Sequence, residues 1–326
     1  MTLSSSARAR AVCLALLLPA FPALAAAQTV ASYTLPTGGS EPKGIAPGPD
    51  GALWFTELYG NNIGRISTSG KVAEFGIPTA DAMPYFIVTG PDGALWFTEM
   101  RGNNIGRIDT SGNVTEYPVP STGAYPYGIA AGPDGAIWFT ELSADNIGRI
   151  GMDGTVTEYA VTTASAAPGA IALGPDGALW FTEIAGSNIG RIDTGGNVTE
   201  FPIPTTGGAP SSIVTGPDGA LWFTEWSAGR IGRMGTDGTV VEYTLPSPQT
   251  YPSGITVGPD GQLWFTEGPL AGRIGAMSTA GQVHEYAVPP AGLFPAYTAW
   301  MAVGPDKALW FTLESGSISR MPVAGN

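Results

Sequence analysis

Six glutamates in this chain close the same string. Glu57, Glu99, Glu141, Glu183, Glu225 and Glu267 each follow Trp-Phe-Thr. Carboxylates perform general acid–base chemistry and bind hard cations, so a ring of six invites both ideas. An arginine recurs in the next apolar run, at Arg65, Arg107, Arg149, Arg191 and Arg233, and again at Arg320. A group repeated once per unit serves every unit alike, whereas catalysis needs asymmetry. The expectation is therefore structural, with the glutamate of one strand paired to the arginine of the next. The seven turn aspartates, Asp50 through Asp306, carry the same expectation. The one histidine, His284, sits in "VHEY" and is expected on a solvated outer rim.

Chemistry specific to this protein should lie where the units differ. A Pro-x-x-Ile pattern opens the first apolar run of the first six units. The residue after the proline position is Lys43, Tyr85, Tyr127, Gly169, Ser211, Ser253 and, in the last unit, Ala299. Tyr125, Tyr251, Tyr297 and Trp300 lie beside these positions. A surface this rich in aromatics suits a ring-bearing or peptide ligand. Lys43, Tyr85, Tyr127, Ser253, Tyr297 and Trp300 are the candidate ligand-binding residues.

The elements that must position these residues are written in a repeat. "GPDG"-type blocks start at Gly48, Gly90, Gly132, Gly174, Gly216, Gly258 and Gly304, 42 residues apart until the last step of 46. Each unit holds four short apolar runs punctuated by Gly, Asp, Asn and Pro, as in "KGIAPG", "ALWFTE", "NIGRIS" and "VAEFGIP". Four antiparallel strands in a repeat of this length make a propeller blade. The spacing predicts an all-β, seven-bladed β-propeller over residues 28–326. The fourth strand is missing from the last unit, and its copy, "ASYTLPT", stands at Ala31. The N-terminal strand should complete the last blade and close the ring. Along "LWFTE", Leu53 and Phe55 should face one neighbouring blade, and Trp54 and Thr56 the other. The divergent residues then gather at one mouth of the central channel.

Residues 1–27 read differently. Arg8 and Arg10 precede "AVCLALLLPAF" and an "ALAAAQ" cleavage pattern, which together make a secretory signal peptide cut before Gln28; the rival is an uncleaved anchor. The only cysteine, Cys13, lies inside it, so the rest of the chain has no disulfide and no thiolate metal site. The chain is expected to be exported, to the periplasm or beyond, and to act as a monomer. No later segment is apolar for long enough to span a bilayer as a helix. Lys and Arg number 14 against 27 Asp and Glu, for a net charge of −13. That balance speaks against nucleic acid as a partner.

The wording of the repeat, "GPDGALWFTE", "NNIGRI", "GNVTEYPVP" and "PYGI", resembles the virginiamycin B lyase (streptogramin B lyase) family along the whole chain after the leader. The resemblance implies a seven-bladed propeller that linearises a cyclic depsipeptide by Mg²⁺-dependent elimination at its ester. A base there removes the proton α to a carbonyl and the metal steadies the developing charge. Of the family's working residues, the glutamate of W-F-x-x-E matches Glu314, after Trp310 and Phe311, which makes Glu314 the candidate catalytic residue. A family tyrosine is replaced by Lys43 and a family histidine by Ser253. A family Glu-Pro-His aligns with Tyr297, Thr298 and Ala299. If the ring closes as expected, Glu41 approaches Glu314. The two carboxylates then either hold Mg²⁺ or Ca²⁺ between them, or Glu314 pairs with Lys43 and no metal is bound. The functions left standing are a lyase of this type and a non-catalytic propeller that binds a small molecule or cyclic peptide.

Overall fold

The computed structural model describes residues 29–247, 250–268, 272–289 and 298–323. Its strands form seven four-stranded antiparallel sheets, six built from one unit of the repeat each and the last from the final unit plus a strand near the N-terminus. In blade one these are Pro42–Pro47 on the inside, then Ala52–Glu57, Asn62–Ser67 and, outermost, Val72–Gly76. The innermost strands touch one another all the way round, blade seven's meeting blade one's. Among the described residues no helix is long and apolar enough to cross a membrane.

The ring is closed as the strand count predicts. Ala31–Thr34 pairs with Ser317–Pro322, Ala31 opposite Arg320 and Thr34 opposite Ser317. Tyr33 stacks on Trp310 with ring centroids 5.8 Å apart. Blade seven thus receives from the N-terminus the strand and the aromatic that every other blade makes for itself, as Phe75 does on Trp54 at 5.5 Å. Exposed sheet edges between the chain's two ends are removed.

Alternation along the second strand builds the core. Leu53 and Phe55 pack with Trp310 of blade seven, while Trp54 packs with Leu95 and Phe97 of blade two. Seven tryptophans are buried this way, Trp54 to Trp310. Their large apolar area is the main favourable term holding blade to blade. In the first six blades the phenylalanine has a glycine opposite, where a methyl, as at Gly64, would run into the Phe55 ring; blade seven sets Ser319 opposite Phe311.

The recurring arginines do not pair with the glutamates as expected. Hairpin register sets Arg65 opposite Trp54, and Glu57 opposite Asn62. Arg65 Nε instead donates to the turn aspartate, Asp50 Oδ2, at 2.6 Å, with its guanidinium 6.0 Å from the Trp54 ring centre. Asp50 Oδ1 also accepts from Trp54 Nε1 at 3.1 Å, and Gly51 takes the left-handed turn at φ 74°. Burial pushes the Asp50 carboxyl up, but the bonds from Trp54 and Arg65 outweigh it and hold it below its ordinary value. Blade six has Ala276 in place of the arginine, and Gln262 donates to Asp260 instead, at 2.9 Å.

The six glutamates are wholly buried, away from the channel, between the second and outer strands. Asn62 Nδ2 donates to Glu57 Oε2 at 3.2 Å, while Glu57 Oε1 has no partner and Glu74 stands beside it. Burial above all, with the neighbouring Glu74 charge, pushes Glu57 up to about 8 despite the Asn62 bond. The units vary this trio together. Blades one to four carry Glu, Asn and Glu, whereas blades five and six have Arg230 and Arg273 in place of the asparagine. Arg230 binds the outer Glu242 at 2.6 Å, and Arg273 the inner Glu267 at 2.9 Å. In blade seven all three positions change, to Leu313, Ser317 and Ser32. The structural expectation for the six holds, but only in blade six is the partner an arginine of the next strand, Arg273.

Candidate ligand site at the channel mouth

Each innermost strand begins with a kink. The residue before the proline is left-handed in five blades, at Glu41, Met83, Tyr125, Ala167 and Ala209, with φ between 46° and 54°. Repeated five times, this is blade geometry and not strain reserved for catalysis. The ladder then slips between Pro42 and Ile45, and equivalently in every other blade. That irregularity frees the residue after the proline position to face the mouth.

The threonine of Trp-Phe-Thr fixes this residue in place. Thr56 Oγ1 accepts from Gly44 N at 3.0 Å and donates to the Tyr85 carbonyl of the next blade at 2.6 Å. Thr98 likewise holds the Tyr127 carbonyl at 2.8 Å, Thr224 that of Ser253 at 2.8 Å, and Thr266 that of Ala299 at 2.9 Å. Thr312 completes the circle on the Lys43 carbonyl at 2.9 Å. A repeated hydroxyl thus anchors the least repeated residues. Sequence reasoning missed this, although the invariant threonine was there to be asked what it bonds.

At the mouth lies a cavity of about 340 Å³. Tyr85, Tyr127, Ser253, Trp300 and Glu314, all singled out from sequence, line it together. Ile184, Ala209, Ser211, Trp226, Thr298 and Ala299 complete the wall; Trp226 was not anticipated. It comes from the turn after the second strand of blade five, is 41% exposed, and leans on Tyr251 at 5.1 Å between centroids. Tyr85 and Tyr127 stack at 4.5 Å, and Tyr127 Oη donates to Tyr85 Oη at 3.3 Å. Loss of solvent and the Tyr85 phenol push Tyr127 well up, so it stays a neutral hydroxyl. Trp300 packs edge-on against Phe86 at 4.4 Å and also lines a second cavity of about 150 Å³ deeper in the channel. It is the floor between the two. Tyr297 lies outside the described residues.

Lys43 stands behind this wall, only 7% exposed. Its Nζ is 2.5 Å from Glu314 Oε1 and 3.5 Å from Glu41 Oε2. Burial pulls the amine down, but the bond to Glu314 and the two nearby carboxylates more than offset it and hold it as an ammonium. Glu41 and Glu314 therefore do converge, around a lysine. For a divalent ion this donor set does not fit: both carboxylates already serve an ammonium. Among the described residues no three acidic or histidine side chains gather into a metal-holding group. His284 lies exposed on the outer strand of blade six, far from the mouth.

Fold and site together define a seven-bladed propeller with an aromatic-lined cavity at one channel mouth. The virginiamycin B lyase family profile matches residues 20–249 and 205–326, and the chain belongs to that family. A solved streptogramin B lyase is 38% identical over 90% of this chain and 97% of its own, with a TM-score of 0.86. Virginiamycin B lyase from Staphylococcus aureus is also 38% identical, over 90% and 99%, with a TM-score of 0.86. A catalytically inactive histidine-to-alanine variant of that enzyme, solved with quinupristin, is 37% identical over the same shares at 0.85. Hydrazine synthase from Kuenenia stuttgartiensis, 18% identical over 90% and 98% at 0.72, shares the fold alone. No curated protein sequence matches the chain.

Proposed function

We propose that this chain is an exported propeller that binds a ring-bearing small molecule or cyclic peptide at the aromatic mouth, without the elimination chemistry of its lyase relatives. The observation that carries this reading is the make-up of the cavity wall. It offers stacked phenols, two indoles and several hydroxyls, and its one ionised group, Glu314, is bound to Lys43. Aromatic walls with a few directed polar groups recognise rings and peptide edges. Elimination needs a group that takes up a proton. Ser253 and Ala299 stand where the resemblance places histidines, and neither accepts a proton near neutral pH. The related enzyme described as catalytically inactive is a histidine-to-alanine variant, which points the same way.

One observation favours the lyase reading instead: Glu314 does line the cavity. A streptogramin B antibiotic separates the two. The chain without its leader is titrated with it while tryptophan fluorescence from Trp226 and Trp300 is followed, and the mixture is examined by mass spectrometry with and without Mg²⁺. Saturable quenching with intact antibiotic is the expected result. A linearised product of unchanged mass that disappears in Glu314→Ala would establish the lyase and overturn the binding-only reading.

A further inference from the structure

Three positions of the blade repeat carry a charge in one place only. The residue before the strand-opening proline is Glu41 in blade one, and the residue after it is Lys43. The residue just past the second strand is Glu314 in blade seven. At the equivalent positions the other blades are uncharged, for example Met83, Tyr85 and Leu58. All three exceptions fall at the single seam where blade seven meets blade one, and there they touch. Repeat symmetry does not produce such a gathering. It is a built feature of this one seam.

Two carboxylates converging on a point are the protein's usual share of a Mg²⁺ site, the remaining positions being filled by water. Here the point of convergence is taken. We infer that Lys43 is the resident cation of this mouth: its ammonium occupies the place of a divalent ion between Glu41 and Glu314, and ligand binding there needs no metal. An ammonium supplies charge and hydrogen bonds, but no open coordination position for a water or a carbonyl oxygen. It neutralises and orients Glu314 and activates nothing. The first half of the inference is independent of the ligand; only the second half rests on the proposed function.

The exchange can be read by counting Mn²⁺ bound to the chain without its leader, using the paramagnetic resonance of the free ion. Wild type and Glu314→Gln should bind Mn²⁺ alike, through diffuse weak association with an acidic surface. Lys43→Met, which keeps the length of the side chain and removes its charge, should gain one site at least tenfold tighter. That site should vanish in the Lys43→Met, Glu314→Gln double variant and be absent in Lys43→Arg. A folded Lys43→Met that gains no site would overturn the inference. So would one Mn²⁺ on the wild type that Glu314→Gln removes, a comparison that stands even if Lys43→Met fails to fold. In parallel, chelator should leave the fluorescence titration unchanged; a tenfold loss of ligand affinity in chelator would refute metal independence. Failure to bind any ligand would count against the functional reading alone, because the Mn²⁺ counts decide the cation.

Discussion

Lys43 and Glu314 are 271 residues apart in the chain and 2.5 Å apart in space. The contact exists because the N-terminal strand completes the last blade and brings blade one against blade seven. It joins the ring's closure to its candidate site. Whatever loosens the seam should be felt at the mouth.

The closing strand gives the first prediction. Tyr33→Ala removes the ring stacked on Trp310 and should cost about 1–3 kcal/mol in urea unfolding. Deleting residues through Thr34 should do more, leaving Ser317–Pro322 as a bare edge and promoting aggregation. Wild-type stability in the deletion would mean the ring does not rely on this strand.

The threonine clasp gives the second. Thr56→Val keeps the shape and removes a buried hydroxyl that serves both Gly44 N and the Tyr85 carbonyl. Leaving these unpaired should destabilise the fold by about 1–3 kcal/mol. Ligand affinity should fall as well, since Tyr85 loses its anchor. Thr182→Val should cost less at the Ser211 end, where the bond is 3.5 Å long.

The buried glutamates give the third. Burial is the main cause pushing Glu57 and Glu99 up to about 8, and Glu141, Glu183 and Glu225 to about 7. A raised carboxyl favours the folded state in its protonated form. That contribution is whole below the ordinary value of 4.5 and is lost as pH rises through 7–8. Each titrating glutamate contributes a slope of at most about 1.4 kcal/mol per pH unit. The turn aspartates, held low, act oppositely: their stabilisation is present above 3.8 and is lost on further acidification. Melting temperature should therefore peak on the mildly acidic side of neutrality and decline from about pH 5 to pH 9. Glu57→Gln should flatten the alkaline limb. A melting temperature that rises from pH 5 to pH 9 would contradict this account.

The fourth concerns the wall. Trp226 is 41% exposed and Trp300 only 8%. Trp226→Ala should leave the melting temperature within a degree or two while weakening ligand binding about tenfold. Trp300→Ala should lower stability by about 3 kcal/mol and join the two cavities. Equal effects of the two changes on affinity and stability would deny the division into wall and floor.

The architecture was legible in the sequence because propeller blades are local. Strand period, turn glycines and the Trp-Phe alternation all act within 42 residues, and the displaced "ASYTLPT" strand announced the closure. Tyr85, Tyr127, Ser253, Trp300 and Glu314 were legible as departures from the repeat, and they do share one cavity. What escaped was decided by register and by contacts between blades. The partner of Arg65 depends on the hairpin placing Glu57 opposite Asn62, three residues short of the arginine. Trp226 follows the second strand of blade five in sequence, and only the closed ring brings it to the mouth. The sequence by itself left Glu41, Lys43 and Glu314 as either a metal site or an ion pair. Only the tertiary structure decided that the ammonium sits between the carboxylates, because short-range electrostatics is settled by ångströms at a seam joining opposite ends of the chain.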